Sequence, residues 1–243
     1  MNVRLTVVGC SPAWPNPGGA QSGYLVESQA GRPLLDCGPG VLARLRERES
    51  WPTVDAIAIT HFHLDHWGDL VPWVWGTMFG LGRERDRPLL WVQPGGRERL
   101  RDLGSRLGSE RMFEGCFEVQ EYADGEAFTA AGLEVTALRL PHYRLETYGL
   151  RIAEGDRSLA YSGDTGPSDR LADLARDVDL FVCEATLERG EHDGEPRGHL
   201  SAAEASAAFE ASGARRLLLT HRPDELPLDG GLELAHDGLV LEL

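Results

Sequence analysis

Short apolar runs separated by Gly, Pro and charged residues set the pattern of this chain. Val3–Val8 reads as an opening strand, followed by a Pro/Gly-rich loop over Ser11–Gly19. Gly23–Ser28 and Pro33–Asp36 read as two strands joined across Gly31-Arg32. Leu42 and Leu45 share one face, with Arg and Glu opposite, which predicts a helix over Val41–Glu49. Val54–Thr60 is a buried strand that runs straight into a cluster of histidines. A Trp-rich segment, Trp67–Phe79, leads to a strand at Leu89–Val92 and an amphipathic helix, Arg97–Leu107, stopped by Gly108. Phe117–Tyr122, Ala127–Ala130 and Leu133–Leu140 continue as strands, and Tyr148–Ala153 with Ser158–Ser162 flank a hairpin turn at Glu154-Gly155-Asp156. In the last third a helix is predicted from Pro167 through Arg176, then a strand at Leu180–Cys183. Ser201-Ala202-Ala203-Glu204 is a capping-box pattern before a helix over Ala205–Ala211, and Leu217–Thr220 is a final apolar strand. Two β-rich halves with helices between strands suggest two sheets packed face to face with helices outside. The pattern alone supports only a mixed α/β (α+β) class.

Composition narrows the function. At 243 residues, 42% hydrophobic and 26% charged, the chain suits one globular domain, residues 1–243. Asp and Glu total 39 against 24 basic residues, all of them Arg, for a net charge of −15. Such a surface repels extended polyanions, so broad nucleic-acid binding is disfavoured; a small anionic ester can still enter where metal ions reverse the local field. Cys10, Cys37, Cys116 and Cys183 lie far apart and read as buried thiols of a reducing compartment. Val7-Val8-Gly9-Cys10 superficially matches a lipoprotein cleavage box, but the apolar run before it is far shorter than the ~7–15 residues of an export segment. No stretch approaches the ~20 apolar residues of a membrane span. The expectation is a cytoplasmic protein without a membrane partner.

The chemistry sits at Ile59-Thr60-His61-Phe62-His63-Leu64-Asp65-His66. Three histidines and a carboxylate fall at the C-terminal end of a predicted strand, where a loop can turn all four toward one point. Imidazole nitrogen and carboxylate oxygen suit zinc, manganese or iron. His142, Asp164 and His221 each follow a predicted strand; taken singly, His142 and His221 read equally well as core or rim histidines.

The HxHxDH signature at His61, His63, Asp65 and His66 resembles that of the metallo-β-lactamase superfamily. His142 after Leu138–Pro141, Asp164 within Tyr161–Thr165, and His221 after Leu217–Thr220 match the family's later motifs in order. Val7–Ser11, Leu35-Asp36-Cys37-Gly38 and Cys183-Glu184-Ala185-Thr186 match as well, so the resemblance spans about residues 3 to 221. It implies a four-layer αββα sandwich and two divalent ions, zinc by preference. By that resemblance His61, His63 and His142 hold one ion, Asp65, His66 and His221 the other, and Asp164 bridges them. Asp36 would hold the metal loop by hydrogen bonds, although a turn aspartate before Gly38 reads the same way in sequence.

A dimetal centre of this kind lowers the pKa of a water from ~15.7 toward ~7, and the hydroxide attacks phosphorus or a carbonyl carbon. Asp65 is expected to ligate and to steer that hydroxide. Lactams, lactones, thioesters and phosphodiesters all remain open at this level. Glu184, and His199 in Gly198-His199-Leu200-Ser201, resemble the phosphodiesterase branch, which includes ribonuclease Z and bacterial cyclic-nucleotide phosphodiesterases. There the histidine, oriented by the glutamate, protonates the departing alkoxide, a contribution of ~10²–10⁴-fold. An exposed loop residue or a helix-start contact is the alternative for His199; His192 reads as a loop histidine. Ribonuclease Z relatives carry a long arm between the third-histidine and bridging-aspartate motifs, whereas only 21 residues separate His142 from Asp164 here. The expected substrate is therefore a small phosphodiester, a cyclic nucleotide among the candidates. The alternatives are another ester class, a tRNA 3′-end endonuclease, or a metal-containing binding domain without turnover. Trp67, Trp73, Trp75 and Phe79 could stack a nucleobase, fill the core or form a homodimer contact, as relatives are often dimers. Arg144 and Arg222, beside ligand residues, could clamp a phosphate or remain solvated.

Overall fold

The computed structural model describes residues 3–190, 193–228 and 231–243. The first half contains β1 (Arg4–Gly9), β2 (Gly23–Glu27), β3 (Pro33–Leu35), α1 (Val41–Arg46), β4 (Ala56–Ala58), α2 (Leu64–Trp67) and α3 (Leu70–Phe79). A 3₁₀ turn (Leu81–Glu84), β5 (Leu89–Val92), α4 (Gly96–Arg106), α5 (Met112–Cys116) and β6 (Glu118–Glu121) complete it. The second half contains β7 (Ala127–Ala130), β8 (Leu133–His142), β9 (Leu145–Glu154), β10 (Arg157–Tyr161), α6 (Arg170–Leu174), β11 (Leu180–Glu184), α7 (Ala202–Ser212) and β12 (Leu217–Thr220). The last strand, β13 (Val240–Glu242), returns to the first sheet.

One sheet runs β13-β1-β2-β3-β4-β5-β6 and the other β12-β11-β10-β9-β8-β7. Strands β3 to β6 are parallel, as are β10 to β12; the other pairings are antiparallel. Val7, Tyr24, Leu35, Val135, Leu150, Ile152 and Val182 fill the space between the sheets. Buried side chains of α1, α3, α4 and α5 cover the outer face of the first sheet, and those of α6 and α7 cover the second. This is the expected αββα sandwich. No helix among the described residues is long and apolar enough to cross a membrane.

Where the elements differ from the sequence reading, hydrogen bonding explains it. Val54–Thr60 pairs as a strand only over Ala56–Ala58, because the Thr60 N–H turns away to the Asp36 carboxylate at 2.8 Å. The predicted helix at Pro167–Arg176 shortens to Arg170–Leu174, since the Ser168 hydroxyl accepts from the Arg170 N–H before the helix begins. The Trp-rich segment becomes α3 with Trp73 inside. The capping box forms as read, with Ser201 and Glu204 bonding each other's backbone N–H. Helix α1 starts on a left-handed Gly40 that cannot cap it, and Asp69 supplies the acceptor for the Leu42 N–H at 2.8 Å.

Candidate metal centre

Each half presents strand ends at one edge of the sandwich. His61 follows β4, Asp36 follows β3, His142 ends β8, Asp164 follows β10, Glu184 ends β11 and His221 follows β12. Turning the chain so sharply leaves Asp36, Tyr143 and His221 with positive φ of 58°, 48° and 55°. Asp and His tolerate this region better than most residues; at Tyr143 it costs of order 1–3 kcal/mol and persists only because surrounding contacts hold it. A Cβ at Gly38 would run into the Asp65 carbonyl oxygen, so only glycine lets the Asp36 turn lie against the metal loop.

The seven expected ligands converge. His61, His63, His142 and Asp164 form one group, and Asp65, His66, Asp164 and His221 a second, each with its donor atoms within 4.8 Å of one another. Asp164 divides its oxygens between them. Oδ2 lies 3.8 Å from His61 Nε2 and 3.9 Å from His142 Nε2, while Oδ1 lies 3.2 Å from His66 Nε2 and 3.5 Å from His221 Nε2. Asp65 Oδ2 stands 3.1 Å from His221 Nε2 and 3.3 Å from His66 Nε2.

These side chains fit divalent ions. Among the described residues, His61 Nε2, His66 Nε2 and Asp164 Oδ1 are buried without a hydrogen-bond partner, which is costly unless something cationic satisfies them. Burial, reinforced by the charge on His66, drives His61 well below the ordinary imidazole range; burial also lowers His63 and His142. All three therefore present neutral lone pairs. Burial opposes ionisation of Asp65 and Asp164, yet His66 and His221 keep both carboxyls ionised. Against its own burial, His66 is held protonated by Asp164, Asp36 and Asp65, a proton that a metal ion would displace.

Four of the five cage histidines have Nδ1 engaged behind the cages, while His63 Nδ1 faces His142 Nε2 at 2.8 Å. His66 Nδ1 meets Asp36 Oδ2 at 2.7 Å, His61 Nδ1 meets the Thr60 hydroxyl at 3.1 Å, and His142 Nδ1 donates to the Gly198 carbonyl at 2.7 Å. His221 Nδ1 meets the Thr186 hydroxyl at 2.9 Å. Asp36 is therefore the buried support that the resemblance implied, and Tyr161, from the opposite sheet, donates its hydroxyl to the same carboxylate at 2.9 Å.

His199 completes the cleft. Its Nδ1 lies 3.0 Å from Glu184 Oε1, and its ring stacks on His221 with centroids 5.7 Å apart and planes 19° apart. Burial disfavours its charge, but Glu184 overcomes this and raises His199 to about 9. The loop that carries His199 is clamped: Asp193 accepts from the Tyr143 hydroxyl at 3.1 Å and from the Gly198 N–H at 3.0 Å. A Cβ at Gly198 would collide with the Tyr143 ring.

The residues with two or more readings resolve differently. Arg222 is neither a phosphate clamp nor a solvated arginine: it is 5% exposed and donates to the carbonyls of Ala185, Leu187 and Leu226. Arg144 stays exposed at the β8–β9 turn with no acceptor among the described residues. Trp73, 2% exposed and edge-on to Trp51, is core and not a stacking wall. Trp67 packs with Phe62 on the outer cluster, and Trp75 stacks on Phe79, itself 73% exposed. His192 lies outside the described residues. Thr60, Tyr143, Tyr161 and Asp193 had no assigned role in the sequence reading. Thr60 alone offered a local clue, abutting the histidine motif.

Comparisons with known proteins agree with this geometry. The family model described as the Beta-lactamase superfamily domain matches residues 32–222. The chain is 38% identical over 229 residues to uncharacterized protein Rv1339 of Mycobacterium tuberculosis, covering 92% of this chain and 82% of that one. It is 29% identical over 307 aligned positions to a ribonuclease Z of Myxococcus xanthus, covering 99% and 98%. The crystal structure of the metallo-beta-lactamase fold protein YhfI from Bacillus subtilis matches with a TM-score of 0.84 at 25% identity, covering 100% of both chains. With family model, fold and paired His/Asp cages in accord, the chain belongs to the metallo-β-lactamase superfamily and is a metallo-hydrolase related to ribonuclease Z.

Proposed function

We propose that this protein hydrolyses a small phosphodiester, a cyclic nucleotide among the candidates, with two divalent ions in its cages and His199 as proton donor. The observation that carries this reading is the Glu184–His199 pair, 3.0 Å apart, stacked directly against the ligand His221. When bound, two such ions lower the pKa of a water from ~15.7 toward ~7 and offset charge on the ester oxygens. Zinc suits the nitrogen and oxygen donors best, with manganese or iron as substitutes.

The protein's own part is to place a proton. Glu184 accepts from His199 Nδ1, so the second ring nitrogen, Nε2, is the one free to donate. In the imidazolium form Nε2–H passes its proton to the departing alkoxide, leaving neutral His199, which recovers a proton from solvent. Glu184 stabilises the charged ring before transfer and fixes its orientation throughout. An alkoxide needs this help; the leaving groups of lactams and thioesters need it less.

The named relatives give a second reading, a tRNA 3′-end nuclease, its own support. Against it stand the net charge of −15 and the stretch between His142 and Asp164, which is filled by the compact β9–β10 hairpin. The 307-position alignment to the ribonuclease Z exceeds the 243 residues of this chain, so that relative carries additional segments.

A substrate panel tests the proposal. Metal-replete protein should turn over bis(p-nitrophenyl) phosphate and cyclic AMP, with negligible action on nitrocefin, a lactone or a glutathione thioester. Turnover of the carbonyl substrates alone would refute it, and trimming of precursor tRNA without cyclic-nucleotide hydrolysis would favour the nuclease.

A further inference from the structure

Tyr143 opens the β8–β9 turn, directly after the ligand His142, with a left-handed backbone at φ 48°. Glycine, asparagine and aspartate are the usual occupants of that region, and a bulky aromatic stays there only where its surroundings hold it. Those surroundings come from the loop that ends in His199. A Cβ at Gly198 would collide with the Tyr143 ring, and a Cβ at Gly194 would stand 3.1 Å from it, so two glycines let the loop close on the tyrosine. The Tyr143 hydroxyl donates to Asp193 Oδ2 at 3.1 Å, and the Tyr143 N–H donates to the Arg197 carbonyl at 3.4 Å. The same Asp193 oxygen accepts from the Gly198 N–H at 3.0 Å, while the Gly198 carbonyl accepts from His142 Nδ1 at 2.7 Å. Gly198 is thus pinned at both ends. The next residue is His199, whose ring meets the Tyr143 ring edge-on with centroids 5.6 Å apart.

We propose that Tyr143 is a positioning residue for His199: its ring seats the loop, and its hydroxyl, through Asp193 and Gly198, holds the His199 ring against His221. The inference rests on the reading of His199 as proton donor and names what keeps that donor in place. Glu184 bonds one ring nitrogen and leaves the backbone of His199 to be fixed by other groups. On the α7 side, Arg197 donates to Glu204 at 2.8 and 3.0 Å and to the His199 carbonyl at 3.0 Å, and the Leu200 N–H donates to Glu184 Oε2 at 3.3 Å. Those bonds secure the chain after the donor, and Tyr143 secures the chain before it. Because His142 is bonded to the same Gly198, one turn sets a ligand of the first cage and the donor beside the second.

Tyr143→Asn removes the ring while suiting the left-handed backbone, and Tyr143→Phe keeps the ring but loses the bond to Asp193. In metal-free protein, hydrogen exchange of the Gly198 amide, followed by NMR, should quicken by about 10-fold or more in Y143N, with the amides of β11 unchanged. At saturating zinc, kcat on alkyl phosphodiesters should fall by about 10²-fold in Y143N, as for a small misplacement of a reacting group, and by about 2–10-fold in Y143F. Esters of p-nitrophenol, whose leaving group needs no proton, should lose far less. In a His199→Ala background Y143N should add less than about 2-fold on either ester, because the residue it acts through is gone. Folded Y143N with native Gly198 exchange would overturn the inference, as would losses undiminished in the His199→Ala background. Should Y143N not fold, undiminished losses for Y143F in that background would overturn it equally. If His199→Ala itself lost no more on alkyl than on p-nitrophenyl esters, the proton-donor reading would fail, while faster Gly198 exchange in Y143N would keep the positioning role.

Discussion

Asp36 and Glu184 are buried carboxylates, one in each half, and each gathers several donors. Asp36 accepts from the Thr60 N–H and hydroxyl, from His66 and from Tyr161. Glu184 accepts from the N–H groups of Thr165, Thr186 and Leu200, from the Thr186 hydroxyl and from His199. Every donor to Asp36 is a core group, a metal-facing histidine or a residue next to one. Among the donors to Glu184 is His199, whose other nitrogen has no hydrogen-bond partner among the described residues. A carboxylate bonded only inward can hold a site together; one that also holds a ring at the cleft can help run a reaction. Under the proposed function, the same chemical device serves support in one half and support plus proton transfer in the other.

The largest expected effect comes from removing what the halves share. Asp164→Ala, or exhaustive chelation of the native protein, should take hydrolysis to background and bound metal below one ion per chain, read by turnover and elemental analysis. Retention of two ions in D164A would break the account of Asp164 as the shared ligand. His199→Ala comes next: kcat on alkyl phosphodiesters should fall by ~10²–10⁴-fold, and far less on p-nitrophenyl esters, whose leaving group needs no proton. Equal losses on both would remove the functional difference between the two carboxylates.

Direct substitution of each carboxylate sharpens the contrast. Asp36→Asn puts an amide N–H among donors that need an acceptor. Zinc affinity should drop ~10–100-fold, stability should fall by about 1–3 kcal/mol, and the dependence on leaving group should not change. Glu184→Gln should weaken zinc binding and also steepen the dependence on leaving group. Matching profiles for the two variants would contradict the division of labour.

Much of the site was legible because its residues cluster at strand ends. The apolar runs Val54–Thr60 and Leu217–Thr220 stop at His61 and His221, and HxHxDH compresses four ligands into six positions, so a local pattern revealed a local feature. The supports were hidden because they act at long range. Tyr161 reaches Asp36 across 125 residues, and Gly198 contributes a backbone carbonyl that no side-chain pattern can announce. Thr186 lay in plain view beside Glu184, but its work depends on His221, 35 residues on. Arg222 was misread for the same reason, since its acceptors are backbone carbonyls of loops whose course the sequence does not fix. The tryptophans of α3 sit in a helix apolar nearly all round, so periodicity could not separate the buried Trp73 from the exposed Trp75.

The smallest expected effect lies outside the cages, in the cap of α7 behind His199. Arg197, with help from Ser201, lowers Glu204 from 4.5 to about 2. A carboxyl whose folded pKa is depressed adds stability that is full above the unfolded value and is lost as pH falls through the folded one. The stability gap between native protein and Glu204→Gln should therefore be constant above pH 4.5, narrow below it and close near pH 2 in denaturant titrations. A gap independent of pH would show that the cap, not the charge, sets the contribution.

The most direct test of the central claim is a crystal structure of zinc-loaded protein with anomalous scattering recorded at the zinc edge. Two peaks are predicted, one between Asp164 Oδ2 and the His61/His63/His142 group, the other between Asp164 Oδ1 and the Asp65/His66/His221 group. Peaks away from Asp164, or none at all in zinc-saturated crystals, would contradict the dinuclear centre and the chemistry built on it.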